Sequence, residues 1–411
     1  TSRRQRQMCI RDSYNTADYL RIDPLLGTEQ DFITLCQRAH EHGIKIILDG
    51  VFNHTGSDSL YFNKEGRYGP GGAYRDKNSP YRSWYCWKDA AANMYESWWG
   101  FTTLPKLNSR DESWREFLCG ENGIVRHWLR LGADGWRLDV VDEYPDELVR
   151  MIRQAARAEK PDALIIGEVW EDASNKIAYS QRRRYLLGRE LHGVMNYPFR
   201  TALLAYLRGG NAADFQEAME TIRENYPPAA FYSALNFLGT HDTPRILTAL
   251  GADRTPETKE ERAAYRLSPT ERARGGALTR LAALVLFAFP GAPMIYYGDE
   301  AGMEGFEDPF NRGTFPWGNQ PLELRQWFSL LGHLRRSRPS LSRGRFRWLC
   351  ASGPLLAFAR ETESERTVLV TNAGQEVRTL TLPWHWAPPQ DLLTGQVYPA
   401  GDGLLTLTLP P

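Results

Sequence analysis

Apolar positions follow two alternating rhythms along the chain. A period of three to four residues marks Thr28 to Gly43, with Phe32, Leu35, Cys36 and Ala39 in phase, and predicts a helix. The same period returns over Arg115–Leu131, Asp146–Glu159, Ala212–Asn225 and Arg274–Phe287. Between these helices lie short aliphatic and β-branched runs: Lys45 to Leu48 ahead of Asp49, a run ending RLDV at Val140, ALIIGEV near Glu168, a run ending GTHD at Asp242, and MIYYGDE. Strands alternating with helices of about ten to fifteen residues predict βα units around a parallel sheet. About six such units predict a (β/α)8 TIM barrel lacking its first strands, since about two strands and a helix belong ahead of Tyr14.

Two stretches break the rhythm. Residues 55–108 are rich in Gly, Tyr, Trp and Asn and carry no long helical pattern; they read as an excursion from the barrel. From residue 341 the runs PLLAFAR, TVLVTNA, VRTLTLP and LLTLTLP alternate with period two, which predicts a C-terminal antiparallel β-sandwich. Residues 14–340 are then the barrel part. Residues 1–13, TSRRQRQMCIRDS, are basic and aperiodic; they read as a non-native segment joined to a gene fragment and are set aside. Missing strands would leave unpaired sheet edges, a threat to folding.

Fifty basic residues balance fifty acidic ones. That argues against a nucleic-acid partner, which needs a basic excess, and against a polybasic membrane-surface protein. The apolar run from Leu281 to Tyr297 holds Pro290, Gly291 and Pro293, so it reads as helix then strand and not as a membrane span. Five scattered cysteines without a CxxC pair indicate neither a zinc site nor a disulfide framework. A cytoplasmic location is the expectation. The basic run RRRYLLGR near Arg182 reads as a solvated helix face. Aromatics reach 12%, which suits sugar stacking as well as a large core; of Trp84, Trp87, Trp98 and Trp99, only Trp98 or Trp99 is expected to face a cleft.

Polar residues at the C-terminal ends of barrel strands face the active site. Four strand ends carry them: DGVFNH (Asp49, Asn53, His54), GWRLDV (Arg137, Asp139), GEVW (Glu168) and GTHD (His241, Asp242). One such acid reads as a structural ion-pair partner; four at the same topological position point to chemistry. Two carboxylates flanking a glycosidic bond perform retaining hydrolysis, one as nucleophile and one as acid/base. Arg137, two residues from Asp139, predicts a depressed pKa for that acid. Apolar neighbours and Trp170 predict a raised pKa for Glu168.

DGVFNH, GWRLDVVDE, GEVW and FLGTHDTPR resemble the four ordered motifs of the α-amylase family of glycoside hydrolases, and the resemblance runs from about Tyr14 to the C-terminus. It implies Asp139 as nucleophile, Glu168 as acid/base and Asp242 as a third carboxylate gripping the reacting sugar. It further implies that His54 and His241 bond that ring, that Arg137 orients Asp139, and that Tyr14 stacks. The excursion matches the family's inserted domain B, where Trp99 is a candidate sugar contact. LPKLN (Leu104 to Asn108) is similar to a signature of the neopullulanase, cyclomaltodextrinase and maltogenic amylase group, and GVMNYPF, GEVWEDAS and DPFNR to that group and its amylopullulanase-like relatives. Asp308 and Arg312 of DPFNR match a family pair binding the next sugar. Asp142 and Glu143 replace the Lys-His of true α-amylases, which speaks against a strict starch endoamylase.

The function implied is retaining cleavage of α-1,4 glucosidic bonds, with α-1,6 bonds as a second candidate linkage, in maltooligosaccharides, cyclodextrins, pullulan or starch. A transglycosylase or sugar isomerase on the same site, a non-catalytic scaffold and an inert fragment are the alternatives. No cofactor is required by this chemistry; calcium and a homodimer are candidates for the full-length parent alone. Asn53 matches a family asparagine near calcium, and one asparagine is no site. No metal ligands are assigned.

Overall fold

The computed structural model describes residues 14–411; residues 1–13, read above as non-native, lie outside the described residues. The chain divides into two compact units that part between Met195 and Asn196.

The first unit carries, in order, helix α1 (Glu29–Glu41), strand β1 (Ile47–Gly50), the hairpin strands β2 (Trp87–Asp89) and β3 (Met94–Tyr95), and helices α2 (Glu112–Cys119) and α3 (Ile124–Arg130). Strand β4 (Gly135–Leu138), helix α4 (Asp146–Glu159), strand β5 (Leu164–Gly167), the small hairpin β6 (Ile177–Ala178) and β7 (Gln181–Arg182), and β8 (Gly193–Val194) follow. Thr28 and Asp31 form a capping box that starts α1. Cys36 and Ala39 of its predicted face are buried, while Leu35, one step round the helix, is exposed.

Four strands form a parallel sheet in the order β1-β4-β5-β8. Helix α4 buries Leu148, Val149, Ile152, Ala155 and Ala156, a stripe with the helical period. The single helix expected over Arg115–Leu131 is two. The chain turns at Gly120–Gly123, where a Cβ on Gly123 would stand 2.8 Å from the Leu118 carbonyl oxygen. The basic run at Arg182 is also corrected. Arg182 ends a hairpin, and residues 183–190 form no helix. Arg183 is buried, donating to the Asp142 carbonyl at 2.7 Å and to Asp146 at 3.2 Å.

The excursion 55–108 holds only short 3-10 turns and the β2–β3 hairpin. Its core is aromatic: Phe62, Trp84 and Tyr85 are buried, and Tyr61 stacks on Tyr19 at 5.7 Å.

The second unit carries α5 (Tyr197–Leu207), α6 (Ala212–Asn225), α7 (Pro228–Ser233), β9 (Leu235–Phe237), α8 (Ile246–Gly251), α9 (Lys259–Ala264), α10 (Pro269–Ala288), β10 (Ala292–Met294), α11 (Leu322–Ser337) and α12 (Pro339–Arg343). Strands β9 and β10 pair in parallel. Both are shorter than the sequence predicts: β9 stops five residues before Asp242, and the chain leaves β10 before Tyr296 and Tyr297, whose rings lie against the Arg245 guanidinium.

Strands β11 (Arg345–Ser352), β12 (Leu355–Glu361) and β13 (Arg366–Asn372) form one antiparallel sheet, and β14 (Arg378–Pro383), β16 (Leu404–Leu409) and β15 (Ala400–Gly401) a second. Leu380, Leu382, Leu405 and Leu407 of the second sheet pack with Ala357, Val368 and Val370 of the first, which makes the pair a sandwich.

Candidate active site

Asp49 on β1 and Arg137 on β4 are register partners, so their side chains leave the sheet on one face. Arg137 Nη1 donates to both Asp49 carboxyl oxygens, at 2.8 and 2.9 Å, and to Asp139 Oδ1 at 2.8 Å. Its Nη2 lies 3.0 Å from Glu168 Oε2. One guanidinium therefore faces three carboxyl groups.

Strand β4 ends at Leu138, and two residues on Val140 adopts a left-handed conformation with φ 39° and ψ 51°, strained for a β-branched residue. The turn directs the Val140 N–H onto Glu168 Oε2 at 2.9 Å. Glu168 itself follows the last residue of β5. The Trp170 indole N–H donates to Glu168 Oε1 at 3.0 Å. Asp139 and Glu168 are both buried.

Burial raises the Asp139 pKa well above the carboxylate range; Arg137 opposes this, and the charges of Glu168 and Asp49 add to it. Asp49 is raised for the same first reason, with Arg137 again opposing. Burial works against the Arg137 charge, yet Asp49, Glu168 and Asp139 hold it firmly protonated. The depressed pKa expected for Asp139 is thus corrected. One cation cannot compensate three clustered carboxylates, two of them buried, so the cluster retains a proton.

Tyr14 donates its hydroxyl to Asp49 Oδ2 at 3.0 Å, and burial raises its pKa, with Asp49 adding to the rise. His54 follows β1; burial lowers its pKa to about 4, so the ring is neutral near pH 7. Its Nε2 is buried with no hydrogen-bond partner among the described residues. Such an orphan is costly unless a ligand meets it. The ring stacks on Trp98 at 5.5 Å and 25°. Trp98 in turn lies 5.6 Å from Trp99, which is 79% exposed and left-handed, with φ 49°. Trp84 is core, and Trp87 lies under the Arg82 guanidinium at 3.4 Å.

In the second unit, His241 Nε2 lies 3.1 Å from Asp242 Oδ2, and the Asp242 N–H bonds Thr240 Oγ1 at 3.2 Å. Arg312 Nε and Asp308 Oδ1 pair at 2.8 Å.

Asn53 turns its amide toward His54 Nδ1 at 3.3 Å. Among the described residues no group of three or more His, Cys, Asp or Glu converges as metal ligands. The residues around Asn53 do not fit a calcium site.

Two features escaped the sequence reading. Asp49 was a strand-end acid without a role, yet it shares Arg137. Lys106 Nζ lies 3.1 Å from Glu143 Oε2 and donates to the Tyr179 hydroxyl at 3.0 Å, while that hydroxyl donates to Glu143. Lys106 belongs to LPKLN, and Glu143 stands where true α-amylases differ; no sequence signal marked Tyr179.

Three carboxyl groups from neighbouring parallel strands meet on one guanidinium, an arrangement suited to acid–base chemistry. The chain belongs to the α-amylase family: the family description "Alpha amylase, catalytic domain" matches residues 4–326. It is 36% identical over 443 residues to the amylopullulanase of Thermoanaerobacter thermohydrosulfuricus, covering 96% of this chain and 29% of that protein. Neopullulanase 2 of Thermoactinomyces vulgaris is 33% identical over 413 residues, covering 97% and 64%. The solved debranching enzyme of Nostoc punctiforme superimposes with a TM-score of 0.80 at 31% identity, covering 98% and 82%. The chain thus spans less than a third of the amylopullulanase and under two thirds of the neopullulanase. The family and these likenesses identify the alternating strands and helices as a TIM barrel with additional domains. Among the described residues, no helix is long and apolar enough to cross a membrane.

Proposed function

We propose that the chain is a retaining glycoside hydrolase that cleaves α-1,4, and also α-1,6, glucosidic bonds in short or cyclic α-glucans, pullulan or starch. The observation that carries this reading is the Arg137 fork, which holds Asp139 and Glu168 side by side. Retaining pairs stand about 5–5.5 Å apart and inverting pairs about 6.5–9.5 Å; two carboxyls on one guanidinium belong to the closer kind.

The proton kept by the cluster is the one the reaction needs. Glu168 delivers it to the glycosidic oxygen as the bond to the anomeric carbon breaks. Asp139, ionised and held by Arg137, attacks that carbon from the opposite face and forms a covalent glycosyl ester. Glu168, now a carboxylate, takes a proton from water, which attacks the ester and returns Asp139 to its starting state. The neutral His54 offers its unpartnered Nε2 to a sugar hydroxyl. Tyr14 and Trp99 offer flat faces to sugar rings. Asp242, His241, Asp308 and Arg312 take the substrate-gripping roles their motifs imply.

A proton NMR time course with maltopentaose tests the reading. The α-anomer is expected to appear first, with mutarotation following. First appearance of the β-anomer, or unchanged turnover in Asp139→Asn, would overturn it.

A further inference from the structure

Asn311 is the fourth residue of DPFNR, between Asp308 and Arg312, and is fully buried. Its Nδ2 lies 3.3 Å from the Thr240 carbonyl oxygen, 2.6 Å from that of His241 and 2.9 Å from that of Thr243. Three of the four carbonyls in segment 240–243 thus converge on one amide nitrogen. That nitrogen has two hydrogens, so three acceptors share two donors and the segment is held from one point. The Asn311 Oδ1 is buried with no hydrogen-bond partner among the described residues, so the amide acts here through donation alone.

The segment it holds carries His241 and Asp242. It is further bound to itself, with the Thr240 N–H donating to Thr243 Oγ1 at 2.9 Å and the Asp242 N–H to Thr240 Oγ1. Asn311 is fixed in turn. Its carbonyl accepts from Arg245 Nε at 2.8 Å. Arg245 is fully buried, donates its backbone N–H to the Gly305 carbonyl at 2.9 Å, and lays its guanidinium over Tyr296 at 4.1 Å and Tyr297 at 4.6 Å. The loops after β9 and β10 and the DPFNR segment therefore meet at one buried hub.

We infer that Asn311 is a positioning residue, which sets the attitude of Asp242 and His241 and ties it to the Asp308–Arg312 pair three and one residues away. The inference rests on the functional reading above, in which Asp242 grips the reacting sugar. A group that tightens on a distorted ring acts mainly in the transition state, and a misplacement of about 1 Å costs on the order of 100-fold. Asn311→Ala removes both donors. Asn311→Ser keeps one in a shorter reach.

The test uses the full chain and its two variants with maltopentaose as substrate, maltose as a ground-state ligand, and acarbose, whose charged amine and flattened ring imitate the transition state. For Asn311→Ala, kcat is expected to fall about 30- to 100-fold. Acarbose should weaken in parallel, while KM and maltose affinity stay within about threefold; Asn311→Ser should fall between parent and Ala. Loss of folded protein with unchanged kcat per folded molecule, or equal weakening of maltose and acarbose, would overturn the inference. If the Ala variant does not melt cooperatively, the Ser variant decides by the same split. A parent chain that neither cleaves maltopentaose nor binds acarbose overturns the functional reading and this inference with it. An active parent with equally active variants overturns this inference alone.

Discussion

Glu168→Gln removes a proton donor and a charge at nearly constant shape. Glu168 accepts from the Val140 N–H and the Trp170 indole and faces Arg137. A glutamine keeps one acceptor oxygen for the Val140 and Arg137 side and gives up the Trp170 bond, a loss of about 1 kcal/mol, so the fold survives. Two readouts separate the roles. Losing a general acid costs about 10²- to 10⁴-fold, or about 3–5 kcal/mol of barrier, for a substrate whose leaving group is a sugar. Maltosyl fluoride leaves without protonation, so its first turnover escapes that cost. The second readout is the pH profile. Glu168 holds the cluster's proton in the resting state, so a neutral glutamine leaves Asp139 among the same charges, those of Arg137 and Asp49, that it meets in the parent. The acidic limb of first-turnover fluoride release, followed by electrode as pH is lowered, should therefore stay where it lies in the parent. A limb displaced to lower pH would mean that Glu168 is charged when Asp139 ionises and would refute the placing of the proton, and equal losses on maltopentaose and maltosyl fluoride would refute the acid assignment.

Two further outcomes test the surroundings of the site. Asp134 is buried and accepts from Lys160 Nζ at 2.5 Å, from the Ile46 N–H at 2.7 Å and from His40 at 2.8 Å. Burial alone would raise its pKa, yet Lys160, His40 and Ile46 together lower it from 3.8 to about 2. That shift is worth about 2 kcal/mol, present above pH 4 and lost as pH falls toward 2. Asp134→Asn should accordingly cost about 2 kcal/mol in urea melts at pH 7 and much less at pH 2; an equal gap at both would be contrary. Trp99→Ala and Trp99→Gly should both raise KM for maltooligosaccharides about 3- to 10-fold, the worth of one aromatic contact. Because residue 99 has φ 49°, the Gly variant should be the more stable by about 1 kcal/mol; equal melting would deny that the display of Trp99 is strained.

Legibility in the sequence followed the range of the interactions involved. Helix α4 is read to its ends because Leu148, Val149, Ile152, Ala155 and Ala156 repeat cleanly and Pro145 precedes it. Helices α2 and α3 read as one because the apolar period runs on through Gly120–Gly123, where the backbone turns away. Arg183 looked like part of a solvated helix because its partners, Asp142 and Asp146, lie about forty residues earlier. Of the site, the strand-end acids were visible because motif and topology place them together. The proton balance was not. Arg137 is two residues from Asp139 and suggested a simple ion pair, whereas Asp49 and Glu168 reach the same guanidinium from neighbouring strands.

The same reasoning explains why Asn311 passed unnoticed. In DPFNR the flanking Asp308 and Arg312 carry charge and invite a role, and the asparagine between them reads as a spacer. Its partners are backbone carbonyls about seventy residues earlier, and a carbonyl leaves no mark in a sequence. Charged side chains name the chemistry of a site, while the groups that hold them at the right angle are often neutral and buried. An apolar residue of the same volume at position 311 would take the amide donor from the His241 and Thr243 carbonyls, each costing about 1–3 kcal/mol if water cannot reach it, while the Thr240 carbonyl keeps the Thr243 N–H at 3.3 Å. The fold would answer by moving segment 240–243 toward solvent, and Asp242 with it. If Asp242 grips the sugar as proposed, position 311 couples stability to catalysis more tightly than the exposed Asp308 three residues before it.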